Sequence, residues 1–424
     1  MRHLSMIRKA GLPSADAKAG ASYPWALGLA SPPFCGWSRL MRYFPEDERD
    51  IPLAIKYETS SIWPDVKRLF DVDATGAAIA MALRDASHMG NRMVSYSRDL
   101  GYYSKRNCHP LLSYRKVIRA VGALDAGGWI THHRQCPGGR GWQSAMSGKP
   151  EFCQALNRLA GPLPLAIPRN PVVLRDHEGR SVDVPKTRMV ARMERKIFEF
   201  NEAITSIDAR TPAGVSVGAP VVRIFNETMN RGGRLYGLGA SWQNIPAAER
   251  PRISIDGEAV VELDYSTLHP SLLYAEVGGC APQDCYAIAN WPRPLVKKAL
   301  LVLINASNLH QVRVYLAHCG EMAALGPADE QDALHTASRV IADIKAVHGP
   351  IAKFFHKDTG ARLMRVDSDL AVAIMAKLLR RGILALPVHD SFLVPARHAD
   401  ALEETMLDCA AEIGLIQCRV QKAS

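Results

Sequence analysis

The chain has 424 residues, 47% of them hydrophobic, and a formal net charge of +10 at pH 7, which leaves room for two or three domains with ample core. The cationic excess favours a polyanionic partner, nucleic acid before a membrane surface, and no apolar run approaches the ~18 residues of a membrane span. Nine cysteines, none in a Cys-x-x-Cys pair, argue against a disulfide framework and point to a reducing, cytoplasmic setting.

Residues 1–40 mix Ala, Gly, Ser and Pro with scattered Arg and Lys and lack the apolar core of a signal peptide, so they read as a poorly ordered extension. From Met41 the pattern is denser, and residues 41–160 read as a small, basic, mostly helical domain. Residues 77–85 have helical composition. Residues 114–124 carry Val117, Val121 and Leu124 at i, i+4 and i+7, and Gly127-Gly128 stops that helix. Residues 129–133 read as a strand, 138–141 as a turn and 142–146 as the returning strand. Helix, strand, basic glycine-rich turn, strand is the order of a winged helix. Arg115, Lys116, Arg119, Arg134 and Arg140 would then face a phosphate backbone, although the same charges would solvate an ordinary helix and hairpin. Cys108, His109, His132, His133, Cys136 and Cys153 match no zinc-site spacing.

Residues 161–220 read as a proline-rich linker or extended hairpin around the polar run 174–180, followed by a helix over 187–207. Thr187 is its cap. Arg188, Arg192 and Arg195 form one basic stripe that could track a duplex backbone, and Met193, Ile197 and Phe200 lie on another face. Next come Gly232-Gly233-Arg234 and Trp242-Gln243-Asn244. The glycines permit close backbone approach to a ligand, and Arg234, Gln243 and Asn244 offer donors to bases, sugars or phosphates.

Residues 260–263 read as a buried strand, with Asp264 where the strand meets a turn and Pro270 opening a helix over 271–276. Residues 383–394 repeat the design as a hairpin with Asp390 at its turn. A carboxylate at a strand end is held rigidly, as a metal ligand must be. We expect Asp264 and Asp390 to meet, and two such carboxylates repel unless they share a divalent cation or a proton. Between them a helix over 293–306 sets Arg293, Lys297, Leu301 and Asn305 four apart along one side. That order suits a nucleoside triphosphate, cations on its phosphates and Leu301 and Asn305 on its base and sugar. Helices over 332–347, 360–380 and 399–413 complete the chain. Leu363, Val366, Leu370, Ile374 and Leu378 supply a core stripe, and Leu402, Met406 and Ile413 pack inward.

Arg234 with Gln243-Asn244-Ile245-Pro246, then Asp264-Tyr265-Ser266, Arg293-x-x-x-Lys297 and His389-Asp390-Ser391, resemble in that order the family A nucleotide polymerases over residues 221–424. That superfamily holds bacterial-type DNA polymerase I and the phage-type single-subunit RNA polymerases. The resemblance implies an α+β right hand: a palm of antiparallel sheet and helices with fingers over 221–424, behind a mostly helical, winged-helix-like N-terminal domain. The 187–207 helix is then the thumb candidate. It implies that Asp264, Asp390 and the backbone carbonyl of Tyr265 hold two Mg²⁺ ions, for which Mn²⁺ can substitute. Lys297 would neutralise the triphosphate and protonate the leaving group, Arg293 would grip the outer phosphates, and His389 would place the primer end. Arg234, Gln243 and Asn244 would lie along the primer–template.

His269, five residues after Asp264, stands where the DNA enzymes carry a bulky glutamate that excludes the 2′-hydroxyl and the RNA enzymes a glycine; its size favours deoxynucleotides. Leu301, Asn305 and Ala306 replace an aromatic residue, a tyrosine and a glycine of the DNA enzymes, and the run His389–Phe392 is closer to the RNA enzymes. The expected function is a template-directed DNA polymerase of a phage, plasmid or mobile element, acting on a DNA primer–template and nucleoside triphosphates. RNA or primer synthesis is the runner-up, untemplated terminal transfer remains open, and a non-catalytic DNA-binding replication initiator is the alternative of another class.

Overall fold

The structure is a computed structural model. It describes residues 50–89, 92–103, 109–135, 143–159, 163–415 and 417–423. The expected extension over 1–40, the turn over 138–141 with Arg140, and Cys108 and Cys136 lie outside the described residues. The chain is α+β with small mixed sheets. It divides into two compact units, one of the described residues in Leu40–Cys285 and Asp358–Ser424, the other Tyr286–Lys357.

The larger unit opens with β1 (Ile51–Pro52), α1 (Thr59–Phe70) and α2 (Ala74–His88). α2 is alanine-rich and buried along most of its length, and Asp73 caps it by accepting from the Gly76 amide at 2.9 Å. β2 (Val94–Tyr96), α3 (Tyr114–Ala126), β3 (Ile130–His133), β4 (Ser144–Gly148) and α4 (Pro150–Asn157) follow, in a sheet ordered β1-β2-β4-β3. Val117, Val121 and Leu124 are buried, as their spacing predicts, and β3 pairs antiparallel with β4. Arg115, Lys116, Arg119 and Arg134 are exposed. Arg119 is also paired with Asp73, and Arg134 lies 3.4 Å from Asp125.

The stretch expected as a linker or an extended hairpin contains two short strands. β5 (Val172–Arg175) and β6 (Ser181–Val182) form a hairpin, so of the two readings of the polar run the extended hairpin holds. α5 (Arg188–Ile204) is capped by Thr187, whose Oγ1 accepts from the Val190 amide at 3.2 Å, and ends three residues before the expected boundary. β7 (Ala209–Arg210), β8 (Val221–Asn226) and β9 (Thr228–Gly237) follow. β5 runs parallel to β8, giving a sheet ordered β6-β5-β8-β9. The four residues of β5 are too few for a period to declare itself beside so much proline. Asn201 of α5 clasps the start of β8 through both amide groups, to Val221 O at 2.9 Å and from Val221 N at 2.7 Å.

β10 (Ser254–Ile255) and β11 (Glu258–Ser266) are joined by Asp256-Gly257 with φ of 52° and 80°, the left-handed pair that a two-residue hairpin turn needs. β11 does not end at Asp264 as expected. It runs on to Ser266, because residues 419–422 pair with that end. The chain then reverses at Thr267 (φ 59°), and α6 (Leu268–Glu276) starts two residues before Pro270. Pro270 thus falls in the first turn, where a missing N–H costs no intrahelical bond.

The smaller unit is helical: α7 (Arg293–Asn305), α8 (Leu309–Ala317) and α9 (Glu330–Val347), with a 3₁₀ turn at Gly349–Phe354. Its core contains Val296, Leu300, Leu303, Val312, Leu316, Val340, Ile344 and Phe355, all buried. The larger unit resumes with α10 (Gly360–Arg380), β12 (Leu386–Val388), β13 (Ser391–Pro395), α11 (Ala399–Glu412) and β14 (Arg419–Lys422). Leu363, Leu370, Ile374 and Leu378 are buried as expected, and Val366 is half-buried. Leu402 and Met406 pack inward, but Ile413, past the end of α11, is exposed. α11 is not the last element: β14 follows it and pairs with β11. The sheet runs β12-β13-β11-β10-β7, with β14 also against β11. No helix among the described residues is long and apolar enough to cross a membrane.

Candidate active site

β11 and β13 run antiparallel with Asp264 opposite Ser391. β12 and β13 are joined by the two-residue turn His389-Asp390, Val388 facing Ser391. Asp390 therefore stands one residue from the position across from Asp264. The two acids arrive at the same end of one strand pair, both half-buried. His389 takes φ 60°, a left-handed conformation that disfavours any residue with a Cβ. Its ring meets Tyr236 edge-on, centroids 6.1 Å apart.

Buried polar groups fix this turn from two sides. Glu262 lies two residues before Asp264 and so on the same face of β11. Arg250 grips it with two bonds, Nε to Oε2 at 2.8 Å and Nη2 to Oε1 at 3.0 Å, and Ser391 Oγ donates to Oε1 at 2.6 Å. On the other side, the carbonyl of Pro387 accepts from Trp242 Nε1 and from Gln243 Nε2, each at 2.8 Å. Such charge-assisted and buried bonds are the costly ones to break.

His269 is held by a residue that the sequence did not single out. Its Nε2 lies 2.9 Å from Oδ2 of Asp367, a carboxylate of α10 with no exposed side-chain surface. The same oxygen accepts from Arg234 Nη2 at 2.7 Å and Nε at 3.2 Å. Burial alone would raise the Asp367 carboxyl, but Arg234 foremost, with His269, holds it at about 2. Burial works against the Arg234 charge too; Asp367, and beyond it Asp390, keep the guanidinium pKa above its ordinary value. Arg234 is thus engaged inside the protein, between two acids.

Gln243 and Asn244 are likewise engaged internally. Gln243 also donates to Leu235 O at 3.1 Å and accepts from Gly237 N at 2.9 Å. Asn244 Oδ1 accepts from Ser241 N at 2.9 Å, half of a capping box. At the glycines expected to allow close backbone approach, the protein's own side chains come close. Gly232 and Gly233 have φ of 74° and 85°, and a Cβ on Gly233 would stand 2.7 Å from the Phe225 ring and 3.0 Å from Ser368 Oγ. Arg188, Arg192 and Arg195 are exposed along α5, whose Val190, Met193, Ile197 and Phe200 face the core.

Within the helical unit, Arg293 and Lys297 are exposed, Leu301 and Asn305 half-buried, and the other flank of α7 is core. The Arg293 guanidinium sits over the Tyr286 ring at 5.0 Å, and Asn305 Nδ2 donates to Leu301 O at 2.8 Å. Both pairs lie within this one unit.

Among the described residues no three His, Cys, Asp or Glu side chains gather to hold an ion by themselves. Asp264 and Asp390 offer two carboxylates. That fits Mg²⁺, which takes one or two carboxylates and completes its shell with water and substrate phosphate oxygens. Tyr265 is buried and stands opposite Val420, one residue along from Asp264. Asp264 also makes itself felt at the Cys418 thiol, which burial first and then that carboxylate push up to about 11.

Sequence reasoning gave no role to Asp367, Glu262 or Arg250, and read Trp242 and Ser391 only as members of their motifs. The one available signal was Asp367-Ser368 inside an apolar helix stripe, since an acid on a core face is there only if paired. Compared with protein-family models and with curated proteins, the chain matches none.

Proposed function

We propose that this protein is a template-directed nucleotidyltransferase of the family A polymerase type, a DNA polymerase extending a primer 3′-hydroxyl from deoxynucleoside triphosphates. The observation that carries the reading is the register that sets Asp264 opposite Ser391 and so brings Asp390 beside it. In this reading the β11–β13 sheet with α10 and α11 is the palm, the unit Tyr286–Lys357 the fingers and α5 a thumb-like helix. Arg115, Lys116, Arg119 and Arg134 would bind nucleic acid on a winged-helix-like module. The setting is cytoplasmic, on the DNA of a phage, plasmid or mobile element.

Asp264 and Asp390 would hold two Mg²⁺ ions, with the Tyr265 carbonyl as a further ligand. Bound Mg²⁺ supplies a lowered pKa at the primer hydroxyl and charge neutralisation on the triphosphate. Arg293 and Lys297 bind the phosphates, and Lys297 Nζ is the proton donor to the leaving group. Leu301 and Asn305 meet the base and sugar. His269, its ring fixed by Asp367, fills the space that a 2′-hydroxyl would need. His389 aligns the primer end, and Arg234 acts behind His269.

The test is extension of a labelled primer–template with Mg²⁺, offering dNTPs or NTPs separately, beside the Asp264→Ala/Asp390→Ala variant. Extension from dNTPs that the variant loses is the expected result. Extension from NTPs would move the reading to RNA or primer synthesis. No incorporation from either pool, with nucleic acid still bound, would replace it by a non-catalytic replication initiator.

A further inference from the structure

Two cations from the N-terminal part of the larger unit end on the turn that holds the Asp390 hairpin. Lys56 is buried, and its Nζ donates to Ala240 O at 2.7 Å, Ser216 O at 3.0 Å and Asp85 Oδ2 at 3.2 Å. Arg92 Nη1 donates to Asn244 O at 2.7 Å. Residues 240 and 244 bracket the capping box of Ser241 and Asn244. Inside the bracket are Trp242 and Gln243, the two side chains that hold Pro387 O. Pro387 lies three residues before Asp390.

The Lys56–Asp85 pair would by itself satisfy a buried ammonium in part. Yet an ammonium has three N–H donors, and here two of them go to carbonyls more than 150 residues away in sequence. Trp242 is fully buried, so the turn has little freedom to shift against the rest of the sheet. The chain of contacts runs from Lys56 and Arg92, through the turn, to the strand that aims Asp390.

We infer that Lys56 and Arg92 are positioning residues for the catalytic carboxylates: through residues 240–244 they set the aim of the Asp390 hairpin and hence the affinity of the Asp264–Asp390 pair for a divalent cation. The inference rests on the proposed reading only in taking that pair as a metal site. It gives the N-terminal region a part in supporting the active site, beside any nucleic-acid binding by its own basic residues.

The experiment is Mn²⁺ titration of the full chain, followed by the paramagnetic resonance signal of the free ion. Asp264→Asn identifies the binding that belongs to the site. Arg92→Gln removes the guanidinium that donates to Asn244 O. Lys56→Met/Asp85→Leu removes the buried ammonium together with its carboxylate, and leaves Arg84 and the Tyr57 hydroxyl, which also bond Asp85, without that partner. Arg68→Gln, an exposed cation of α1, is the control, and thermal unfolding is recorded for each. We expect Arg92→Gln and the double variant to weaken Mn²⁺ binding about tenfold, the scale of losing a group that orients a metal ligand, and Arg68→Gln to leave it unchanged. Should the double variant not fold, Arg92→Gln decides. Mn²⁺ affinity unchanged in Arg92→Gln, while Asp264→Asn loses it, would overturn the inference. Weakened Mn²⁺ binding in a protein that incorporates no nucleotide would leave the inference standing and remove the polymerase reading. Absence of any Asp264-dependent Mn²⁺ binding would overturn both.

Discussion

Asp367 concentrates the chemistry of the site in one side chain. It is fully buried, it is shared by Arg234 and His269, and its carboxyl is held at about 2. That lies below the ~3.9 of an unfolded-chain aspartate. Its stabilising contribution is therefore complete above about pH 5 and is lost as pH falls through 4 toward 2, a difference of about 2.6 kcal/mol. Urea denaturation at stepped pH should show Asp367→Asn less stable than the parent at pH 7, with the gap closing between about pH 5 and 2; a gap of constant size would contradict it. The sequence carried a sign that Asp367 is paired, since it interrupts the core stripe of α10, but not with what: its partners come from β9 and α6, far off in the chain. Glu262 and Arg250 were hidden in the same way. Asp264 and Asp390 were legible because each follows an apolar run, which fixes the backbone before any partner is known.

At the level of elements, α5 joins two properties that its sequence already separated. One side is buried and clasped to β8 by Asn201, while Arg188, Arg192, Arg195 and Lys196 stand exposed with Phe198 on the solvent side. A cationic, partly aromatic face on a helix fixed this firmly suits a nucleic-acid backbone. Arg188→Gln/Arg192→Gln/Arg195→Gln should weaken duplex binding and make the log–log salt slope shallower by roughly 0.9 for each phosphate no longer neutralised. Fluorescence anisotropy between low and moderate salt measures it, and an unchanged slope would remove α5 from the interface. Helices of this kind were legible where period and cap agree, as at Thr187. The short strands β7, β10 and β14 were not, since two to four residues cannot display a period.

The whole molecule divides where the sequence showed no composition change. Tyr286–Lys357 forms a unit of its own between β11 and β12, with buried side chains on α7, α8 and α9. Packing of that kind is local in sequence and forms fast. Residues 286–357 produced alone should give a helical circular-dichroism spectrum and a cooperative thermal transition; a featureless melt would show that the core needs the rest of the chain. In the N-terminal region, Lys56 and Arg92 share bonds with residues 216, 240 and 244 of the same larger unit.

The turn His389-Asp390 also has a genetic consequence. Val388 faces Ser391, so the loop has room for two residues, and both sides are pinned, at Pro387 and at Ser391. Side chains alternate along a strand, so one added or deleted codon here would slip the pairing and turn Asp390 to the opposite face of the sheet. The longer turn between β5 and β6, whose His177 and Glu178 are exposed, carries no candidate site residue whose face a changed length would reverse. Frame-preserving insertions should therefore pass at that turn and be purged at residues 389–390, where the message tolerates altered spelling better than altered length.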